Sequence, residues 1–227
     1  MRSRDDTQMM GDQIRFPTTS WNLISMQALD SLIRIYWKPL YFFVRQQGHD
    51  NETSKDIVQE FLKTLLERDA LKRADPTRGH FRTFLLAALT NFLKDRLKAN
   101  ARLKRGGDQP IFSLDFTRGE SEFALEVARG ESPEAVLNRT WARSLWRHSI
   151  EELKGDPAHL EAFRLYLSDV DYAQIARRTG LSEAAAKTAV HRLKAQLKEI
   201  VSRHIGETAA SEEDLNAELA EFINLLR

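Results

Sequence analysis

A short segment near the C-terminus, Tyr172 to Ala184, most restricts how this chain can fold. It has apolar residues at helical spacing, followed by Gly180, Leu181 and Ser182. Glycine readily takes the positive φ at which many helices end, and serine is a favoured N-cap for the next helix. The order therefore predicts two helices joined by a tight turn. In a helix-turn-helix, the second of these helices can enter the major groove of DNA.

The helix predicted after this turn carries an apolar stripe and a basic stripe side by side. The apolar stripe follows 3.6-type spacing and consists of Ala186, Val190, Leu193, Leu197, Ile200 and Val201. Residues 172–205 contain seven Lys or Arg and two Glu, a net charge of +5. A solvated helix face normally mixes both signs, so this bias favours a polyanionic partner. An ordinary helical hairpin, or a charged surface helix that binds nothing, stays open as the alternative.

Charge is strongly segregated along the chain, although its 227 residues have a formal net charge of only +1. Residues 71–105 contain ten Lys or Arg against two Asp, a net of +8. Residues 107–135 contain seven acids and two arginines, and residues 207–226 contain six acids and no Lys or Arg. The chain has no cysteine, which excludes disulfides and thiolate metal sites and fits a reducing compartment.

Helical periodicity dominates the chain, with Pro and Gly between the periodic segments, and β-branched alternation is nearly absent. We predict an all-α fold of two small helical domains joined by a flexible acidic linker, with a C-terminal helix-turn-helix. No stretch approaches eighteen apolar residues, and the N-terminus lacks the apolar core of a signal peptide. The expectation is a cytoplasmic protein without membrane insertion.

Local signals give several helix boundaries in this fold. One helix is expected to end near residue 35, and Pro39 starts or kinks the next. Thr53 with Asp56 indicates a capping box for a third helix. Asp171 is placed to cap the first helix of the DNA motif. The acidic tail predicts an amphipathic helix that can pack on its own domain or on a partner.

Residues 71–105, the segment with a net charge of +8, combine basic residues with phenylalanines along a helix expected from about residue 80 to 99. Such a mixture is typical of surfaces that bind single-stranded nucleic acid, because cations contact phosphates and rings stack on bases. The phenylalanines can also be core residues. We assign Phe81 and Phe92 to the core and leave Phe84 open.

These features together resemble a bacterial RNA polymerase sigma factor of the extracytoplasmic-function group of the sigma-70 family, over roughly residues 20–205. Three motifs carry the resemblance: the helix from Asp56 to Leu66, the segment 79–95, and Trp141 together with the helix-turn-helix pattern. The resemblance implies a disordered N-terminus (1–15), a region 2-like domain (16–106), an acidic linker (107–132), a region 4-like domain (133–205) and an acidic amphipathic tail (206–227).

The resemblance also implies partners and the residues that contact them. The partners are core RNA polymerase, through its β′ clamp helices and β flap, promoter DNA, and an anti-sigma factor or other inhibitory protein. The residues implied for polymerase binding are Asp56, Gln59, Glu60 and Lys63. Those implied for the −10 element, which the N-terminal domain would melt, are Arg82, Phe84, Asn91, Lys94, Arg96 and Lys98. Those implied for the −35 element are Ser182, Glu183, Lys187, Thr188, His191 and Arg192.

The chain departs from the family pattern at three positions. Phe84 stands where the family usually has Trp, which weakens the case for a stacking role there. Ala186 replaces a usual Val or Ile, and Ala189 replaces a frequent Arg, so one DNA contact of the family is absent.

Nothing in the sequence indicates catalysis, and we expect neither an enzyme nor a cofactor. The six histidines, at positions 49, 80, 148, 159, 191 and 204, have no ligand spacing, so no metal site is expected. One alternative is an operator-binding transcription regulator that never contacts polymerase. Another is a sigma-like adaptor held by a regulatory partner.

Overall fold

The computed structural model describes residues 26–67, 80–100, 114–116, 119–120, 122–123 and 130–227. Eight helices of eight residues or more and no strand occur in these residues, which confirms the all-α prediction. The helices are α1 (Met26–Gln46), α2 (Asn51–Glu67), α3 (Phe81–Asn100), α4 (Pro133–Glu151), α5 (Pro157–Leu167), α6 (Tyr172–Thr179), α7 (Glu183–Gly206) and α8 (Glu212–Leu226). The predicted disordered N-terminus, 1–15, lies outside the described residues. Within the described ranges, no helix is both long and apolar enough to cross a membrane.

Helix α1 continues through Pro39, so the prediction of two separate helices in this region is wrong. Proline removes one backbone hydrogen bond and normally kinks or ends a helix. Here the side chains on both sides of it, including Tyr36 and Leu40, are buried in the core. Packing therefore holds α1 helical across the missing hydrogen bond.

Helix α2 is capped by Asp50, one residue before its start, and not by a Thr53–Asp56 capping box. The backbone N–H of Thr53 donates to Asp50 Oδ1 at 2.8 Å, and its hydroxyl donates to Asp50 Oδ2 at 2.8 Å. An aspartate accepting from the N3 backbone is a standard N-cap. The helix starts within the residues from which it was expected, 51–53, but Asp50 is its cap in place of Thr53. The buried face of α2 includes Ile57 and Val58 as expected.

Helix α1 packs against both α2 and α4, and α4 in turn contacts α7 and α8. The predicted N-terminal and C-terminal domains therefore share one hydrophobic core in this structure, which contains buried residues from both. This arrangement positions every candidate site described below.

The described residues of the acidic linker between 114 and 123 are packed against α1. The rings of Phe116 and Phe123 are buried in the core. Glu122 accepts from Lys38 Nζ at 2.8 Å, and Glu120 accepts from Arg45 NH2 at 2.6 Å. This packing differs from the flexible tether predicted from composition, because two linker acids have basic partners on the helix that they cover.

Candidate nucleic-acid interface

Helices α6 and α7 form the predicted helix-turn-helix, and the structure confirms each local signal for it. The N–H of Gln174 donates to Asp171 Oδ1 at 2.9 Å, which caps α6. Gly180 ends α6 with φ 72°, in the left-handed region that glycine tolerates best. Ser182 accepts from the N–H of Ala185 at 3.1 Å and caps α7.

A small apolar cluster sets the angle between these helices. Ile175 of α6, Ala186 of α7 and Ala162 of α5 are completely buried against one another, with Leu181 at the turn. Ala186 is the position at which the family usually has a larger residue. The small side chain lets α7 lie close to α6, and the outer face of α7 is left for other contacts.

All six residues predicted for the −35 element lie on the exposed surface at the start of α7 and its cap. They are Ser182, Glu183, Lys187, Thr188, His191 and Arg192. The ammonium of Lys187 lies 5.5 Å from the ring centre of Tyr172, and Arg192 NH2 lies 2.9 Å from His159 Nδ1. Within the part of the chain that the structure describes, no carboxylate is within ion-pair distance of Lys187 or Arg192. The structure brings the six residues together on one surface and leaves both charges without a counter-ion among the described residues.

Lys194 extends this cationic surface by about two helical turns. Its ammonium lies 4.0 Å from the ring centre of Tyr166 and donates to the Tyr166 hydroxyl at 2.6 Å. Sequence reasoning missed Tyr166, because it belongs to α5 and only the packing of α5 on α7 brings the two side chains together.

The residues predicted for the −10 element divide into an exposed group and a paired group. Asn91, Lys94 and Lys98 are exposed on the C-terminal half of α3. Lys98 lies 3.6 Å from Asp95, but both side chains are 79% exposed, so the pair holds the lysine only weakly. Phe84 is half-buried beside the fully buried Phe81.

Arg82 does not lie on an accessible surface in this structure, contrary to its predicted place in the −10 interface. Its side chain is 3% exposed, donates to Glu218 Oε2 at 2.9 Å and also pairs with Glu221. Its guanidinium lies 4.2 Å from the ring centre of Trp141. The acidic helix α8 supplies both carboxylates. The positive charge of Arg82, which was counted in the net charge of residues 71–105, is therefore neutralised by the C-terminal helix.

Arg96 is also paired, in this case with Glu60 of α2. The prediction had assigned Arg96 to DNA and Glu60 to polymerase. In the structure the two side chains join α2 to α3. On the same helix, Asp56 is exposed, and Gln59 and Lys63 are half-buried, so the predicted polymerase face of α2 is partly open.

Helix α8 packs on its own chain, which answers the question that the sequence left open for the acidic tail. Phe222 meets Trp141 edge to face at 6.1 Å, and Leu215 is buried. Glu218 is only 2% exposed. Burial raises the pKa of the Glu218 carboxyl, and the charges of Arg82 and His80 only partly oppose this effect. The burial of Glu218 could have been predicted from the sequence. This residue lies three positions after Leu215 and four before Phe222, and this spacing places it on the apolar face of α8.

Comparison with known proteins shows that the sequence of this chain is similar to those of bacterial sigma factors. Residues 160–197, from α5 into α7, match the family described as Sigma-70, region 4. The chain is also similar to the RNA polymerase sigma factor YlaC of Bacillus subtilis (strain 168). The two are 23% identical over 179 residues, which cover 78% of this chain and 93% of the relative. No solved structure matches the chain. The region 4 match and the sigma factor relative together support a place for the chain among the sigma-70 transcription initiation factors, in the extracytoplasmic-function group.

Proposed function

We propose that this protein binds core RNA polymerase and directs it to specific promoters, with α7 reading the −35 element and α3 opening the −10 element. The observation that carries the proposal is the start of α7. There a capped helix-turn-helix presents Lys187 and Arg192 on an exposed face, with no carboxylate in ion-pair distance among the described residues. Cations left without internal partners are available to phosphates and base edges.

On the −35 element, each exposed side chain of α7 has a chemical role. Arg192 can donate two parallel hydrogen bonds to the O6 and N7 atoms of guanine, and Lys187 can contact a phosphate or the same base edge. Thr188 and His191 lie beside them and complete the reading face. Glu183 can accept from the amino group of cytosine, and Ser182 lies at the N-terminus of α7, where backbone N–H groups favour a phosphate.

On the −10 element, the exposed end of α3 would hold the opened strand. Asn91 can hydrogen-bond an extruded base, and Lys94 and Lys98 can hold phosphates. Phe84 is smaller than the usual Trp and is half-buried, so it would need to turn outward to stack on a base. Arg82 and Arg96 could join this surface only after leaving Glu218 and Glu60. The −10 surface is therefore incomplete in the conformation described here.

Polymerase binding is assigned to α2, through Asp56, Gln59, Glu60 and Lys63 against the β′ clamp helices. The helix-turn-helix domain would lie near the β flap, and an anti-sigma factor would keep the two DNA-reading surfaces from their targets. We place the protein in the cytoplasm, where polymerase and promoter DNA are found. Nothing in this role requires a catalytic group, and we propose that the protein is not an enzyme.

The decisive test is transcription in vitro, with core polymerase free of other sigma factors and a library of promoters. The expected result is initiation at a defined subset of promoters. A Lys187→Ala, Arg192→Ala double variant should lose this selectivity while it still co-purifies with core polymerase. The matched control is Arg164→Ala, because Arg164 is an exposed arginine of α5 that pairs with Glu161.

An operator-binding regulator would give a different result in the same experiment. It would bind its DNA without polymerase and would not start transcription from any promoter with the core enzyme. Such an outcome, together with no co-purification with core polymerase, would refute the proposed function.

A further inference from the structure

Two histidines and a glutamate meet where the C-terminal ends of α4 and α7 lie side by side. They are His148, Glu152 and His204, and their three potential ligand atoms lie within 4.8 Å of one another. We propose that these residues form a binding site for a transition-metal dication, for which zinc is the best fit. The prediction of no metal site rested on sequence spacing, and only the packing of α4 against α7 brings the two histidines together.

The three side chains are close enough together to share one metal ion. Glu152 Oε1 lies 3.1 Å from His148 Nε2 and 2.6 Å from His204 Nε2. The centres of the two imidazole rings are 5.1 Å apart. Two imidazoles on one tetrahedral ion, with Zn–N bonds of about 2.0–2.1 Å, have ring centres about 5 Å apart and ligand atoms about 3.4 Å apart. Small side-chain movements would therefore complete the coordination.

Buried polar atoms without partners point to a missing ligand at this place. His148 Nε2, His204 Nδ1 and Glu207 Oε2 are all buried and make no hydrogen bond in the described structure. The His204 side chain is 0% exposed. Native proteins leave few such atoms unsatisfied, and each one calls for an explanation. His148 Nε2 lies 3.1 Å from Glu152 Oε1 without a hydrogen bond, and a metal ion between the rings would give this nitrogen a bonded partner.

Glu207 would act behind the metal ligand His204. Its Oε2 lies 3.5 Å from His204 Nδ1, on the side of the ring opposite Glu152. Histidines that bind metals commonly donate their second ring N–H to a carboxylate, which fixes the tautomer and orients the ligating nitrogen. With its hydrogen on Nδ1, His204 would present the Nε2 lone pair toward Glu152 and the metal.

The charges around the cluster suit a cation. Arg203 pairs with Glu152 Oε2 and leaves Oε1 facing the two imidazoles. The carboxylate of Glu207 adds a second negative charge nearby, and Arg203, 4.0 Å from Glu207 Oε1, balances one of the two. Two nitrogen ligands with one carboxylate favour zinc and its transition-metal neighbours over magnesium or calcium, which prefer all-oxygen sites. The hydrogen bond between His204 Nε2 and Glu152 Oε1 is the competing arrangement, and it leaves His148 Nε2 without a hydrogen bond.

The proposed site lies away from the exposed face of α7 that carries Lys187 and Arg192. It joins the end of α4 to the end of α7, just before the chain enters α8. A metal ion there would brace the helix-turn-helix domain from behind and would not touch DNA. Because such an ion binds the folded chain, its binding should raise thermal stability.

The test uses full-length protein without a histidine tag, treated with a chelator and then titrated with Zn²⁺ alone. Isothermal titration calorimetry should show one ion per chain. When free zinc exceeds Kd a hundredfold, the melting temperature should rise by about 5–10 °C. Cobalt(II) bound in place of zinc should give the intense visible absorption of a tetrahedral complex.

Substitutions separate this site from adventitious binding. His148→Gln should abolish the one-to-one binding and the thermal shift, and Glu207→Gln should weaken binding about 10–100-fold. Neither variant removes the fully buried His204, so both should fold. The matched control, His191→Gln, changes an exposed histidine of α7 and should bind zinc like the parent protein.

Three results would overturn the proposal. The first is an absence of zinc binding, which would leave the cluster held only by the contacts of Glu152 with the two histidines. The second is equal zinc binding by the parent protein and His148→Gln, which would indicate surface histidines. The third is a weak octahedral cobalt spectrum.

Discussion

Replacement of Glu218 by Gln tests the buried contact that joins α8 to α3. The substitution keeps the shape of the side chain and removes the charge that faces Arg82 at 2.9 Å. Water cannot replace that charge, because the two side chains are 2% and 3% exposed. Removal of one partner from a buried ion pair typically costs about 3–5 kcal/mol. Glu221 and the Trp141 ring still hold Arg82, so we expect the lower end, about 3 kcal/mol.

Thermal and urea unfolding at neutral pH would measure this loss. A destabilisation of about 3 kcal/mol should lower the melting temperature by about 6–12 °C in a chain of this length. Glu213→Gln is the matched control, because Glu213 is an exposed acid of the same helix, and it should change stability by no more than about 0.5 kcal/mol.

A double variant checks the physical reason for the effect. Arg82→Met with Glu218→Leu removes both charges, so it leaves no buried ion unpaired and should be more stable than Glu218→Gln alone. Equal melting temperatures for Glu218→Gln and Glu213→Gln would refute the reasoning, because they would show that Glu218 is solvated in the folded protein.

Three further predictions follow from the other sites. Arg192→Ala should weaken binding to a −35 duplex by about 1–3 kcal/mol if Arg192 reads a base, and an unchanged footprint with unchanged transcription would remove it from the interface. Asp56→Arg with Gln59→Ala should reduce co-purification with core polymerase, while the circular dichroism spectrum stays that of the parent protein. Unaltered co-purification would contradict the assignment of polymerase binding to α2. The hydrogen bond from Arg45 lowers the pKa of Glu120 despite partial burial. The pair therefore stabilises the fold at pH values above the unfolded pKa of about 4.3. This stabilisation is lost as the pH falls through the lower pKa of the folded protein. The melting temperature of the parent protein should therefore fall more steeply in acid than that of Glu120→Gln, and parallel curves would show that the pair does not contribute.

The helix-turn-helix was predictable from the sequence because its determinants are local. Asp171, Gly180 and Ser182 each act within three or four residues of their own position, through caps and one positive φ. The exposed basic face of α7 follows from helical spacing once the apolar stripe is known. For this part of the chain, local chemistry and tertiary packing favour the same structure.

The surroundings of α3 were not predictable in the same way. Charge counting treated Arg82 and Arg96 as solvent-facing cations, but each has a carboxylate partner from another helix. Arg82 and Glu218 are 136 residues apart, and no local rule relates them. The same limit applies to His148 and His204, which come together only through helix packing.

The packing of α1 against α4 limits the span of DNA that this conformation can reach. Elements centred near −35 and −10 are about 25 base pairs apart, or about 85 Å along B-form DNA. A globular chain of this length has a radius of gyration of about 17 Å, so its diameter is about 45 Å. If α7 reads −35 and α3 opens −10, as proposed, a compact chain of this size is too short to bridge both elements, and it would have to separate α1 from α4 first. Its apparent affinity for free promoter DNA is then reduced by the fraction of molecules that are open, and polymerase could raise that affinity simply by holding the two halves apart.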